Sequence, residues 1–200
     1  MRWAQACHRV LWQRRGWPAR LGLLGVASLL GLGVYLGGLQ VTGNFHTVIP
    51  QELYRSAQPS PAQITAYAAA YGIRSIVNLR GPNPGRDWYD AERATAQLLG
   101  IQHVDFAMSA KRPLDDARAA QLIALLRAVP KPVLIHCQAG ADRTGLASAL
   151  YLAAVAGQGE EAAEGQLSVL YGHVGLPMLG PYAMDATFER MEPALGFPDS

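Results

Sequence analysis

One stretch constrains this chain more than any other: Val133-Leu134-Ile135-His136-Cys137-Gln138-Ala139-Gly140-Ala141-Asp142-Arg143-Thr144-Gly145. It reads as a short apolar strand, a tight loop and a helix starting near Thr144. A thiol opens the loop and a guanidinium closes it, with five residues between them. Backbone N–H groups curled at a helix N-terminus make a cup for an oxyanion. A cysteine at the floor of such a cup sits in positive potential, which favours the thiolate. An arginine at the rim holds two phosphate oxygens at once. The expected chemistry is attack of the Cys137 sulfur on a phosphate ester through a covalent cysteinyl-phosphate.

The rest of the chain fits a sheet that can hold such a loop. Leu53 to Pro59 reads as a strand and turn. Ser60-Pro61-Ala62-Gln63 is a capping box with proline at the first helical position. It predicts a helix to about Tyr71, stopped by Gly72. Ile73–Leu79 and Ile101–Ala107 read as strands, separated by a Gly/Pro-rich loop from Arg80 to Arg86 and a helix from Asp87 to Leu99. Asp115 or Asp116 opens a helix through Ala128. The helix after the signature loop reaches about Ala156, and helical stretches near Glu160–Leu170 and Pro181–Met191 close the chain. Alternating strands and helices imply an α/β fold with a mostly parallel sheet flanked by helices. The signature loop then lies at the carboxyl end of a strand, where open α/β sheets bind ligands.

The amino-terminal part differs in kind. Arg2, Arg9, Arg14, Arg15 and Arg20 precede the first acidic residue, Glu52, and Leu21 to Leu39 carries no charge. About 20 apolar residues cross a bilayer as helix. Arginines on the amino side place that end in the cytoplasm. The expected organisation is a basic cytoplasmic segment (1–20), a transmembrane signal anchor (21–39), a linker (40–50) and a catalytic domain (51–200). That places a single-pass protein in a bacterial inner membrane with its domain outside the cytoplasm. A cleaved signal peptide would need a small-residue cleavage site, and none follows the apolar run. A core helix would be striped, and this run is apolar all round. Cys7 and Cys137 fall on opposite sides of the membrane in this reading, so the loop thiol has no intramolecular disulfide partner. The net charge of +2 makes no case for nucleic acid.

The stretch from His136 to Gly145 resembles the H-C-x5-R-[ST]-G signature of the cysteine-dependent protein tyrosine and dual-specificity phosphatases at every defined position. From Leu53 to Tyr151, Leu-Tyr-Arg-Ser-Ala-Gln-Pro, Ile-Val-Asn-Leu-Arg and the signature occur in the order of the bacterial relatives of the plant and fungal atypical dual-specificity phosphatases. The resemblance implies Cys137 as nucleophile and Arg143 as clamp on the ground-state and transferring phosphate. Substrate is held by Gln138, Ala139, Gly140, Ala141, Arg143 and Thr144. His136 shapes the loop, and Thr144 donates to the departing sulfur. Arg80 and Arg86 are within a neighbouring loop that an anionic substrate can meet.

A leaving oxygen needs a proton. In most of this superfamily an aspartate on a separate loop, roughly thirty residues before the cysteine, supplies it. Asp105 lies thirty-two residues before Cys137, inside an expected strand. Asp115 and Asp116 lie at a helix start. Asp142 stands inside the signature; the same Asp-Arg pair occurs in a bacterial subset and in the myotubularin lipid phosphatases, where the loop aspartate is a proposed acid. Asp142 is favoured among the four by its proximity to the leaving group. Its negative charge beside the thiolate requires that it be protonated or turned outward. His8, His46, His103, His136 and His173 have no ligand spacing, so neither metal nor cofactor is expected.

The expected partner is a phosphorylated protein or a small phosphate ester, with the membrane engaged through 21–39. The alternatives are a lipid or inositol phosphate as substrate, a phosphate-binding module without turnover, and a rhodanese-type sulfur transferase. Arg143 and Thr144-Gly145 argue against the last.

Overall fold

The computed structural model describes residues 17–197, so Arg2, Arg9, Arg14, Arg15 and Cys7 lie outside the described residues. The chain divides into two units between Gly38 and Leu39. Helix α1 (Trp17–Val41) contains a segment, Arg20–Val41, long and apolar enough to cross a membrane. Its large side chains are exposed, Leu21, Leu24 and Leu30 to the same degree, as expected of a helix apolar on every side.

The second unit carries a five-stranded sheet of β1 (His46–Ile49), β2 (Leu53–Ser56), β3 (Ser75–Asn78), β4 (Gln102–Asp105) and β5 (Val133–His136). The order is β1-β2-β5-β3-β4, with only the β1–β2 pair antiparallel among these. Helices α2 (Pro61–Tyr71), α3 (Asp87–Leu98), α4 (Asp116–Ala128), α5 (Asp142–Ala154), α6 (Glu160–Glu164) and α7 (Ala183–Leu195) complete it. This is the α/β architecture that the alternation of elements implies.

Each central strand is buried on both faces, and successive residues feed two cores. Leu53, Val77, Val133 and Ile135 pack with Leu122, Leu126, Leu146 and Leu150. Tyr54, Ile76 and Leu134 pack with Ile64, Ala96 and Ile101 on the other face. The four parallel strands end in one register row, Ser56, His136, Asn78 and Asp105. Their carboxyl-end loops therefore emerge along a single edge of the sheet.

Local chemistry sets the boundaries. The capping box at Ser60 forms in full, and Gly72 closes α2 in the left-handed region. Asp115 caps α4 through the Arg118 N–H. Asp87 is the first residue of α3, as expected, and Arg86 in the cap position contributes no side-chain bond. The segment 40–50, read as a linker, contains β1, and Leu39 is already buried. Alternating His46-Thr47-Val48-Ile49 pairs with β2 and covers what would be an open edge. The signature helix begins at Asp142 rather than Thr144. Gly140, at φ +72°, turns the chain sharply enough for Ala141 to accept the first helical bond, from the Gly145 N–H. Of the stretches 160–170 and 181–191, the first is shorter, with α6 ending at Glu164 and a single 3₁₀ turn over Val169–Tyr171, and the second is displaced, with α7 running from Ala183 to Leu195.

Candidate active site

The loop after β5 is built from the outside inward. The Gln138 carbonyl accepts from the Gln58 N–H at 3.1 Å. The Ala139 carbonyl accepts from Asn44 Nδ2 at 2.9 Å and Gln40 Nε2 at 3.3 Å. The Gly140 and Ala141 carbonyls accept from Arg55 Nη2 at 2.9 and 3.3 Å. Four consecutive carbonyls are thus drawn to the outer side of the loop. In a trans peptide the N–H lies opposite the C=O, so the N–H groups of residues 139–142 face the inner side. Residues from β2, the turn after it and the chain before β1 make these bonds.

Gly140 is fixed by contact as well as by φ. A Cβ there would lie 2.6 Å from the Ala57 nitrogen and the Ser56 carbonyl carbon. Those are backbone atoms of the strand end, so no side chain can be accommodated by rotation. Cys137 lies at the foot of the loop, 3% exposed. Arg143 leaves the first turn of α5; its Nη1 reaches the Met108 carbonyl only at 3.5 Å. Its Nε and the Thr144 hydroxyl are buried with no hydrogen-bond partner among the described residues. Both are buried donors with unused hydrogen-bonding capacity.

Arg55 is the residue the sequence reading left without a role. It is fully buried. Its Nη1 donates to the Gln166 carbonyl and Oε1 at 2.9 and 2.8 Å, and its guanidinium lies over the Tyr171 ring at 3.8 Å. Burial lowers its pKa to about 10, with Tyr171 and Cys137 opposing that shift, so it stays charged at neutral pH. The signal for it was present: Arg55 sits in the Leu53–Pro59 segment that carries part of the resemblance.

Two carboxylate–imidazole clusters flank the loop. On one side Glu92, fully buried in α3, accepts from Nε2 of His103 at 2.7 Å and of His136 at 2.9 Å, while its second oxygen accepts from Gln58 Nε2. Burial would raise its pKa, but the bonds from His103, His136 and Gln58 prevail and hold it at about 2. His136 shapes the loop through this anchor. Gln58 Oε1 accepts from Arg80 Nη1 at 2.8 Å, and Arg80 stacks on Trp88 at 3.5 Å. Burial lowers the Arg80 pKa, and the like charge of Arg143 lowers it further, so the two guanidiniums share one neighbourhood. Arg86 is exposed at the cap of α3. A signal for Glu92 existed in its spacing, since it lies on the buried stripe Tyr89, Glu92, Ala96.

On the other side Asp142 Oδ1 accepts from His173 Nδ1 at 2.8 Å, and Asp185 Oδ2 accepts from His173 Nε2 at 2.9 Å. His173 is 1% exposed. Burial would lower its pKa, but the bonds to Asp142 and Asp185 outweigh that and raise it. The Asp142 side chain therefore faces a buried imidazole. Of the remaining aspartates, Asp105 accepts from Asn78 Nδ2 at 2.8 Å and the Tyr89 hydroxyl at 2.5 Å. Asp115 is occupied as a helix cap, and Asp116 pairs with Arg190 at 2.8 Å on the surface. Residues 106–114, the loop that follows β4, contain no Asp or Glu but do contain Lys111 and Arg112.

A sequence profile described as the Tyrosine phosphatase family matches residues 35–164. The dual specificity protein phosphatase TpbA of Pseudomonas aeruginosa is 33% identical over 113 residues, which are 56% of this chain and 47% of TpbA. The chain thus spans about half the length of the curated relatives it matches. The crystal structure of P. aeruginosa TpbA superposes with a TM-score of 0.62 at 24% identity, covering 79% of this chain and 92% of that one. The core catalytic domain of the PP-IP phosphatase SIW14 from S. cerevisiae, in complex with citrate, superposes at 0.56 and 19% identity, covering 77% and 93%. At these identities the superpositions establish a shared fold.

Proposed function

This chain belongs to the tyrosine phosphatase family, and on that premise we propose that it is a membrane-anchored, cysteine-dependent phosphatase acting on phosphate monoesters of the phosphotyrosine and phosphoprotein type. The observation that carries the proposal is the loop itself. Four carbonyls are held outward by Gln58, Asn44 and Arg55, Gly140 is pressed on the end of β2, and Cys137 and Arg143 stand at opposite ends.

In the proposed reaction the Cys137 thiolate attacks phosphorus. An S–P bond forms and the ester P–O bond breaks, its electron pair leaving with the oxygen. Arg143 and the N–H groups of residues 139–142 carry the charge on the equatorial oxygens. The departing oxygen takes a proton that Asp142 carries on the carboxyl oxygen not bonded to His173. Asp142 is preferred because Asp115 and Asp116 serve a cap and a surface pair. Asp105 is engaged by both Asn78 and Tyr89. Water then attacks phosphorus and gives a proton to the Asp142 carboxylate, the S–P bond breaks, inorganic phosphate leaves and the thiolate is restored. The buried Thr144 hydroxyl supports the sulfur as it departs.

Single-turnover kinetics with an aryl phosphate test this reading. The full chain should release a stoichiometric burst of the aryl alcohol before phosphate, and Cys137→Ser should release none while keeping its fold. Binding without a burst would assign a phosphate-binding module instead. Helix α1 anchors the chain in this proposal, with the catalytic unit outside the cytoplasm. A reporter active only in the cytoplasm, fused after Ser200, should stay silent.

A further inference from the structure

Of the four loop carbonyls, that of Ala139 belongs to the peptide that carries the Gly140 N–H. The contact of Gly140 with the end of β2 demands a glycine, and glycine populates both signs of φ. Turning over the peptide ahead of such a residue converts one common turn into another. The direction of the 139–140 peptide therefore rests on what bonds the Ala139 carbonyl. Two donors do so: Asn44 Nδ2 at 2.9 Å, and Gln40 Nε2 at 3.3 Å from an exposed side chain. Asn44 is the closer and the more enclosed, 1% exposed. Its backbone stands at φ +45°, and its N–H donates to the Leu39 carbonyl at 2.7 Å. Its Oδ1 accepts from His46 Nε2 at 2.9 Å, which fixes which end of the amide faces the carbonyls. The two amide hydrogens go to the Ala139 carbonyl and to the Tyr171 carbonyl, the latter at 2.8 Å. Tyr171 in turn covers the guanidinium of Arg55, whose Nη2 holds the next two loop carbonyls. A residue needed only for a left-handed turn before β1 would be served as well by glycine. Here the side chain is fully engaged, and one of its bonds is to the loop carbonyl ahead of a glycine.

We propose that Asn44 is a positioning residue for the phosphate site: its amide locks the 139–140 peptide with the Gly140 N–H on the inner side of the signature loop. Without that amide the peptide turns over and presents a carbonyl oxygen, which repels the substrate's phosphate, where a donor stood. The inference rests on the phosphatase reading of the loop and adds to it a residue far outside the signature. Asn44 acts through the loop backbone and touches no reacting atom.

Only two alanine–glycine pairs occur in the chain, Ala139-Gly140 and Ala156-Gly157. The full chain in detergent micelles, with ¹³C at the alanine carbonyls and ¹⁵N in glycine, therefore gives two amide signals in a carbonyl-filtered spectrum. Ala156→Ser removes the Gly157 signal and so assigns both. Tungstate, a phosphate-shaped oxyanion that needs no turnover, is the probe. It should shift the Gly140 signal and leave Gly157 in place. Asn44→Gly keeps the left-handed backbone, and Asn44→Asp keeps the size and the His46 partner but offers no donor to Ala139. In both variants the Gly140 signal of the free chain should move, and tungstate should bind at least about tenfold more weakly. The Gly157 signal and the denaturant midpoint read the fold. A folded variant with the Gly140 signal and tungstate affinity of the unmodified chain overturns the proposal. So does an unmodified chain whose Gly140 signal ignores tungstate. Loss of the fold in both variants overturns it as well, by making Asn44 a residue of the unit's stability alone. The burst experiment keeps the two readings apart. A burst from the unmodified chain, with tungstate affinity undiminished in Asn44→Gly, rejects the role of Asn44 alone. A Gly140 response to tungstate that weakens in Asn44→Gly, without a burst, rejects turnover alone.

Discussion

Two clusters of the same chemical groups flank the signature loop, and they are inverses of each other. In one, a single carboxylate, Glu92, lies between the imidazoles of His103 and His136. In the other, a single imidazole, His173, lies between the carboxylates of Asp142 and Asp185. The central group is buried in both, and in both its charged form is favoured against the cost of burial, because two partners hydrogen-bond it. The difference lies in what each delivers to the loop. The Glu92 cluster holds His136, the residue before Cys137, and continues through Gln58 to Arg80. The His173 cluster holds Asp142, the residue before Arg143, and joins it to Asp185. One ties down the thiol end of the loop, and the other ties down its guanidinium end.

The comparison breaks most sharply at Glu92. Glu92→Ala leaves Gln58 and two imidazoles without their shared acceptor and should cost about 3–5 kcal/mol in denaturant unfolding. Removing the centre of the other cluster should cost less, because Asp142 and Asp185 remain about a fifth exposed (side chains 23% and 20%). His173→Ala is expected to lose about 2 kcal/mol of stability, and to lower kcat more than it raises KM for an aryl phosphate. His173→Gln, which can still donate to one carboxylate, should recover part of the stability and less of the kcat.

The two centres also titrate in opposite senses. Glu92 has a folded pKa of about 2, below its ordinary value. Its contribution is present above about pH 4.3 and is lost as pH falls toward 2. The folded pKa of His173 is raised, so its contribution is complete below about pH 6.5 and is lost as pH rises through the folded value. Unfolding midpoints measured across pH should therefore show an acid limb that Glu92→Gln flattens. They should also show a limb above neutrality that His173→Gln flattens. The smallest effect sharpens the contrast from outside the site. Arg190 and Asp116 form an ion pair at 2.8 Å in solvent, with side chains 40% and 75% exposed, and Asp116→Ala should change stability by less than about 0.5 kcal/mol.

Much of the site was legible because it is local. Cys137, Gly140, Arg143 and Thr144 lie within eight residues of one another. A strand, a glycine at positive φ and a helix start are enough to bring them together. The capping box at Ser60 and the cap at Asp115 were legible for the same reason, since each bond spans three residues. The missed residues act at long range. Asn44 and Arg55 reach the loop across 95 and 85 residues, and His173 meets Asp142 across 31. Strand β1 was read as linker because its four residues gain their pairing only from β2.

The opening stretch by itself determined a thiol and a guanidinium at the two ends of a strand–loop–helix turn, and the alternation of elements determined a parallel sheet to carry it. Apolar periodicity and short-range caps report directly on which residues leave water and where helices begin. Only the tertiary structure decided which way the loop carbonyls point and which partner Asp142 meets. Both depend on which donors meet the loop once the strands are in register. A buried charge is tolerable only beside a partner, and that partner is chosen by the packing of distant elements, which no local pattern records.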